Sequence, residues 1–165
     1  MRLLLVRHCE ARRGTEGEDH GLTESGLNQA RGLRHLIPPH VSTVLSSPSA
    51  RTMHTAKLFS EQAGLPVNIM NDLSEIGDLC ENEDVHSLVI RAGRTMNRIS
   101  EDYGNDSVVA FTHAGFIMAS IRAIFNIPTP GTGARLEPDY GSRTSWHKDG
   151  PTWFLESYNV TDGAA

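Results

Sequence analysis

Four short aliphatic runs alternate with segments of helical periodicity, and this alternation restricts the chain more than any other feature. Leu3 to Val6, Val41 to Leu45, Val67 to Met70 and Val108 to Phe111 are bounded by polar or turn residues, the pattern of strands covered on both faces. After the first run, Thr23 serves as N-cap to a helix with Leu27, Ala30, Leu33 and Ile37 on one face, stopped by Pro38-Pro39. Ser49 stands as N-cap to a second helix carrying Met53, Ala56 and Phe59, with Gly64 at its end and Pro66 opening the next strand. Val85, Leu88, Ala92, Met96, Ile99 and Tyr103 keep a 3.6-residue phase up to Gly104, and Phe116, Ile117, Ser120, Ile121 and Ile124 form a fourth helical face. Ser142 to His147 and Thr152 to Tyr158 flank the turn signal Lys148-Asp149-Gly150 and predict a hairpin, with Trp146 and Trp153 on its two arms as packing partners or one of them at the border of a substrate pocket. Strands and helices in this order predict an α/β fold: a three-layer α/β/α sandwich with a mostly parallel central sheet and a C-terminal antiparallel hairpin.

No repeat or linker divides the 165 residues, so residues 1–165 are read as a single domain. A chain of that size buries roughly 70% of its unfolded surface and needs no disulfide staples. Cys9 and Cys80 form no cysteine framework, which suits a reducing compartment. The opening Leu3-Leu4-Leu5-Val6 is too short for a signal peptide or a membrane span, so the expectation is a soluble cytoplasmic protein without membrane contact. A net charge of −5 argues against nucleic acid or anionic lipid as the main partner. Yet 13 of the 15 basic residues are arginine, the side chain whose planar fork suits phosphate and carboxylate.

In sheets of this kind, ligands bind beyond the carboxyl ends of the strands. There stand Arg7-His8-Cys9-Glu10, Ser46-Ser47-Pro48-Ser49-Ala50-Arg51, Asp72-Leu73-Ser74-Glu75 and Thr112-His113-Ala114-Gly115. Two imidazoles and two guanidiniums on one rim form a pocket for a polyanion, and a phosphoryl group accepts several donors at once. The same cations disfavour imidazolium, leaving one histidine neutral and able to attack phosphorus. The leaving oxygen then needs a proton. Glu75 is the natural donor, with Asp72, Asp78 and Glu10 nearby in sequence, and the arriving dianion favours its protonation.

Arg7-His8, Leu22-Thr23-Glu24-Ser25-Gly26-Leu27-Asn28-Gln29-Ala30, Ser46-Ser47-Pro48-Ser49-Ala50-Arg51-Thr52 with Thr55-Ala56, and Thr112-His113-Ala114-Gly115 occur in an order that resembles the histidine phosphatase superfamily, the phosphoglycerate-mutase-like fold, over about residues 2 to 125. The resemblance implies His8 as nucleophile, phosphate contacts from Arg7, Arg51 and His113, Glu75 as proton donor, and neither metal nor organic cofactor. Cys9 stands where the family usually has glycine, which places a thiol and possible oxidation sensitivity beside the nucleophile. Ala114 replaces a frequent glycine. The short stretches Ala11 to Gly21 and Gly77 to Asp84 resemble the compact branch and predict a small lid.

The resulting expectation is a metal-independent phosphatase that hydrolyses a small phosphate monoester through phospho-His8. Substrate choice is expected from the loops around residues 11 to 21 and 77 to 84 and from Thr129 to Ser145. A protein phosphohistidine phosphatase of the compact signal-inhibitory type, acting on a phosphoprotein, and a non-catalytic phospho-ligand-binding module are the alternatives. Arg12 and Arg13 stand either as further anion contacts or as exposed loop charges. His8-Cys9-Glu10 lacks the Pro-Cys-x-x-Cys partner of zinc deaminases. No Walker or G-x-G-x-x-G loop follows the first strand. His20, His35, His40, His54, His86 and His147 have no metal-ligand spacing and read as surface or packing residues. Oligomeric state is not legible in the sequence.

Overall fold

The alternation becomes a six-stranded sheet in a computed structural model that describes residues 1–12, 21–38, 40–104, 106–129 and 136–161. In chain order the elements are β1 (Arg2–Arg7), α1 (Glu24–Leu36), β2 (Thr43–Ser46), α2 (Ala50–Ala63), β3 (Val67–Ile69), a 3₁₀ turn at Asn71–Leu73, α3 (Val85–Asp102), β4 (Ser107–Thr112), α4 (Ala114–Ile124), β5 (Arg143–Asp149) and β6 (Thr152–Val160). The strand order is β3-β2-β4-β1-β5-β6. The first four positions are parallel, whereas β5 runs antiparallel to β1 and β6 antiparallel to β5. The predicted mostly parallel α/β sheet with a C-terminal hairpin is therefore present.

Side-chain alternation along the central strands separates two cores. Leu3, Leu5, Val108 and Ala110 face a layer built from Leu88, Ala92, Met96 and Ile99 of α3 and Phe116, Ile117 and Ile121 of α4. Leu4, Val6, Val109 and Phe111 face Ala30 and Leu33 of α1 and Ala56 and Phe59 of α2. Phe59 and Phe111 meet at 5.6 Å between ring centroids, tilted by 49°. Burial on both faces is why these strands read as unbroken aliphatic runs.

Caps and ends account for the differences from expectation. Thr23 Oγ1 accepts the Gly26 N–H at 3.0 Å, as an N-cap should. Ser49 occupies the N-cap position of α2 but makes no capping hydrogen bond; its hydroxyl is drawn toward Thr52 and His113. Asp84, not singled out in the sequence, caps α3 through the Ser87 N–H at 2.8 Å. Gly64 ends α2 with φ of 70°, the left-handed cap. Val41 lies outside β2 because its N–H turns back to the Pro38 carbonyl, although its side chain still enters the core. Trp146 and Trp153 pack edge to face with centroids 6.3 Å apart. Trp146 is fully buried, against Phe125 as well, and does not border the site described below. Pro39, Arg13, His20, most of the 11–21 loop and residues 130–135 lie outside the described residues. Among the described residues, no helix is long and apolar enough to cross a membrane.

Candidate active site

The adjacency of β1 and β4 brings residues 105 positions apart in sequence, His8 and His113, to one rim. Arg7 is in register with Thr112, and the His8 N–H continues the ladder to the Thr112 carbonyl at 2.9 Å. The two imidazoles follow directly, with centroids 5.3 Å apart and planes at 61°. On the other flank of β4, Ser46 is in register with Phe111, and Ser47 N–H reaches the Phe111 carbonyl at 3.0 Å before the chain turns into α2 and Arg51.

His8 is 7% exposed, and its Nδ1 lies 2.8 Å from the Cys9 carbonyl oxygen. A carbonyl only accepts, so Nδ1 carries the proton and the lone pair of the neutral ring belongs to Nε2. The loop after His8 is held from two sides. Thr55 Oγ1 accepts the Cys9 N–H at 3.1 Å and donates to the Arg51 carbonyl at 2.8 Å. At the start of α1, Glu10 carbonyl accepts the Thr23 N–H at 3.0 Å, Glu10 Oε1 accepts from Thr23 Oγ1 at 2.9 Å, and Gln29 Oε1 accepts the Glu10 N–H at 2.9 Å. Gly26 must lack a side chain here, because a Cβ would overlap the Glu10 backbone. Glu10 is thus committed to α1. Cys9 is fully buried in the α1–α2 core, where burial pushes its thiol up to about 12. That removes the expected oxidation sensitivity, since the thiolate is the reactive form; Cys80 is the exposed cysteine.

His113 is fully buried. Burial first, then Arg51, His8, Arg7 and Arg91, holds its imidazole well below the usual histidine range. Arg51 Nη2 sits 3.2 Å from Nδ1 and Ser47 Oγ 2.8 Å from Nε2. A guanidinium only donates, so Nδ1 accepts and the single ring proton resides on Nε2, facing Ser47. Thr52 Oγ1 supports Ser47 Oγ at 2.6 Å. Arg51 Nη2 also pairs with Asp78 Oδ2 at 3.1 Å, at the edge of a cleft of about 230 Å3 lined by Pro48, Ser49, Arg51, Ser74 and Asp78. A larger cavity between α3 and α4, with His86 in its lining, touches neither His8 nor His113.

Arg7 is linked to His8 through the Tyr140 ring. Its Nη1 donates to the Pro138 carbonyl at 2.6 Å, its Cζ lies 3.9 Å from the centroid of the Tyr140 ring, and that ring is 5.5 Å from His8. Among the described residues, Arg7 Nε is buried without a hydrogen-bond partner. The segment responsible, residues 138–142, also accepts the Arg7 N–H at Ser142 and donates the Gly141 N–H to the carbonyls of Arg7 and His8. Sequence reasoning placed this stretch in a loop without recognising Tyr140; the only available signal was a lone aromatic beside Gly141, whose φ of 69° needs a glycine. Arg12 is exposed and joined by its N–H to the Gly21 carbonyl, as an ordinary loop charge would be.

Glu75 arrives from the loop after β3. Thr112 Oγ1 ties that loop to β4 through the Leu73 carbonyl at 2.6 Å. Glu75 Oε2 accepts the Gly115 N–H at 3.1 Å in the first turn of α4, and Oε1 accepts the Ile76 N–H at 2.9 Å. A Cβ on Gly115 would overlap the carboxylate, so that glycine is what admits Glu75 to the helix N-terminus. Arg91, also missed in the sequence, braces the loop. It forks onto Glu83 at 2.7 and 2.6 Å and donates to the carbonyls of Asp72 at 2.7 Å and Ser74 at 2.9 Å. Asp72 itself pairs with Arg98.

The structure thus brings Arg51, His113, His8 and Arg7 into one chain of contacts, with Glu75 on the neighbouring loop. Such a rim can hold a polyanion, present a neutral imidazole and supply a carboxyl group for proton transfer. Among the described residues, no group of three or more His, Cys, Asp or Glu side chains is placed to hold a metal ion.

The neutral state of His113 makes a stability prediction. An unfolded histidine with a pKa of 6.5 takes up a proton that the folded chain refuses. Stability therefore falls as pH drops below about 6.5, by up to about 1.4 kcal/mol per pH unit until the lower folded pKa is reached. Denaturant unfolding between pH 7.5 and 5 should show a shallower pH slope for His113→Gln than for the native protein; identical slopes would contradict burial of a neutral imidazole.

Comparison with known proteins bears on the family and the fold. The model of the histidine phosphatase superfamily (branch 1) matches residues 3–80 and 77–161. The adenosylcobalamin/alpha-ribazole phosphatases of Salmonella typhimurium and Escherichia coli are 39% and 37% identical over 83 and 82 residues, 46% of this chain in each case. The chain spans 41% and 40% of the length of these two relatives. Among solved structures, phosphoserine phosphatase from Entamoeba histolytica superposes with a TM-score of 0.83 at 19% identity, covering 99% of both chains. Mycobacterial glucosyl-3-phosphoglycerate phosphatase does so with a TM-score of 0.82 at 19% identity, covering 97% of this chain and 99% of the other. At such identities the structural likeness is one of fold. With the family model spanning nearly the whole chain, the protein belongs to the histidine phosphatase superfamily, branch 1.

Proposed function

We propose that this protein is a phosphatase that hydrolyses small phosphate monoesters through a phosphohistidine on His8. The observation that carries the reading is the hydrogen bond from His8 Nδ1 to the Cys9 carbonyl, which leaves the lone pair on Nε2 of a ring that packs against the neutral imidazole of His113.

In the first half-reaction, Nε2 of His8 attacks phosphorus, the bond from phosphorus to the ester oxygen breaks, and Glu75 gives its proton to the leaving alcohol. The ring becomes cationic as it takes the phosphoryl group, and the Cys9 carbonyl on Nδ1–H stabilises that charge. Arg7, with Nε and the remainder of its fork, and Arg51 hold the equatorial oxygens. When Arg51 turns from His113 Nδ1 to the phosphoryl group, that nitrogen can take a proton from solvent under the influence of the dianion and donate a hydrogen bond to it. In the second half-reaction the Glu75 carboxylate accepts a proton from water, the water oxygen bonds to phosphorus, and the bond to Nε2 breaks. Phosphate leaves and Glu75 is protonated again.

A small-molecule ester is favoured because the curated relatives act on alpha-ribazole phosphate by their names, and solved relatives are named for phosphoserine and glucosyl-3-phosphoglycerate. A placed Glu75 also favours an ester over a phosphohistidine protein, since an alcohol needs a proton to leave.

Phosphate release should be measured, with chelator present, from p-nitrophenyl phosphate and a panel of alkyl monoesters that includes phosphoserine and alpha-ribazole phosphate. His8→Ala is expected to lower turnover about a thousandfold or more on every substrate; retained activity would remove His8 from the reaction. Glu75→Gln should cost about a hundredfold on alkyl esters and far less on p-nitrophenyl phosphate, whose leaving group needs little protonation. Equal losses on both would exclude Glu75 as the acid.

A further inference from the structure

The turn that carries Glu75 carries a second carboxylate. Asp78 N–H donates to the Glu75 carbonyl at 3.2 Å, closing a four-residue turn whose third residue, Gly77, has φ of 84°. That φ is the requirement of a type II turn and calls for glycine. The Arg91 fork rests on the same segment, on the carbonyls of Asp72 and Ser74. Asp78 is therefore placed by a braced turn. Its Oδ2 reaches Nη2 of Arg51, the same nitrogen that serves His113 Nδ1, so that nitrogen directs one hydrogen at each. Arg51 is intermediate in exposure, with 23% of its side chain accessible, and Asp78 is exposed, with 39% accessible; both residues line the cleft of about 230 Å3.

We propose that Asp78 is a positioning residue that loosens the site's hold on phosphate. Its hydrogen bond keeps the Arg51 guanidinium turned toward the rim, while its charge competes with a phosphoryl dianion for that guanidinium. The inference rests on the phosphatase reading above. A rim with two arginines and two histidines favours a bound dianion, and tighter binding of the product slows its release. A fixed carboxylate on the outer nitrogen of Arg51 raises the energy of a bound dianion and speeds its departure. It does so without touching the reacting atoms.

Asp78→Asn separates the two effects, because the amide oxygen still accepts from Arg51 but carries no charge. Binding of inorganic phosphate should be measured by calorimetry and as competitive inhibition of p-nitrophenyl phosphate hydrolysis, at low and high salt. The variant is expected to bind phosphate about fivefold more tightly at low salt, with KM falling in parallel and the gain shrinking as salt screens this partly exposed charge. A merely structural role for Asp78 would not tighten a ligand. Phosphate affinity equal to or weaker than native would overturn the inference while leaving native phosphatase activity intact. A native protein that neither binds phosphate nor releases it from an ester would overturn the phosphatase reading and this inference with it.

Discussion

The parallel pairing of β1 with β4 is the constraint on which the site depends. It sets Arg7 opposite Thr112 and carries the ladder one residue further, so that His8 and His113 emerge side by side at the carboxyl edge of the sheet. A slip of one residue would turn both core faces inside out, exposing Leu3, Leu5, Val108 and Ala110 to the wrong layer. The register is therefore held by both cores, and the geometry of the imidazole pair inherits that rigidity. Ser47 and Arg51 follow from the next pairing, β2 with β4, by the same logic.

Around this pair, backbone groups do much of the electrostatic work. The Cys9 carbonyl sets the His8 tautomer, the Pro138 carbonyl holds one nitrogen of Arg7, and the carbonyls of Asp72 and Ser74 hold Arg91. The Gly115 N–H receives Glu75. Fixed dipoles of this kind need no reorganisation when charge moves during a reaction. Side-chain cations are restrained in the same way: Arg51 is shared between His113 and Asp78, and Arg7 is flattened on Tyr140. His113 stays neutral chiefly because it is buried, with the arginines adding to that effect.

Much of this was legible in the chain. Unbroken aliphatic runs located the four parallel strands because both faces of the sheet are covered, the Lys148-Asp149-Gly150 turn signal located the hairpin, and period-3.6 patterns located the four α-helices because each has an apolar face. The strand-end rule pointed to Arg7, His8, Arg51, Glu75 and His113 because those positions follow strands whose aliphatic runs are unambiguous. What could not be read depends on tertiary approach. Tyr140, Asp78 and Arg91 matter through partners 132, 27 and up to 19 residues away, respectively, and no local pattern marks such contacts. Cys9 looked exposed to chemistry because it adjoins the nucleophile in sequence; successive residues at a strand end point in opposite directions, and its side chain enters the core. Ser49 looked like a cap, yet its hydroxyl is engaged by the Thr52 and His113 network.

The central claim is that Nε2 of His8 carries the phosphoryl group. Rapid acid-free quenching of a single turnover with a ³²P-labelled monoester, followed by peptide mapping, tests it most directly. The account predicts an alkali-stable, acid-labile label on the peptide containing His8, on Nε2 and absent from His8→Ala. Turnover by the native protein with the label on another residue, or with no covalent label at any time during the reaction, would contradict it.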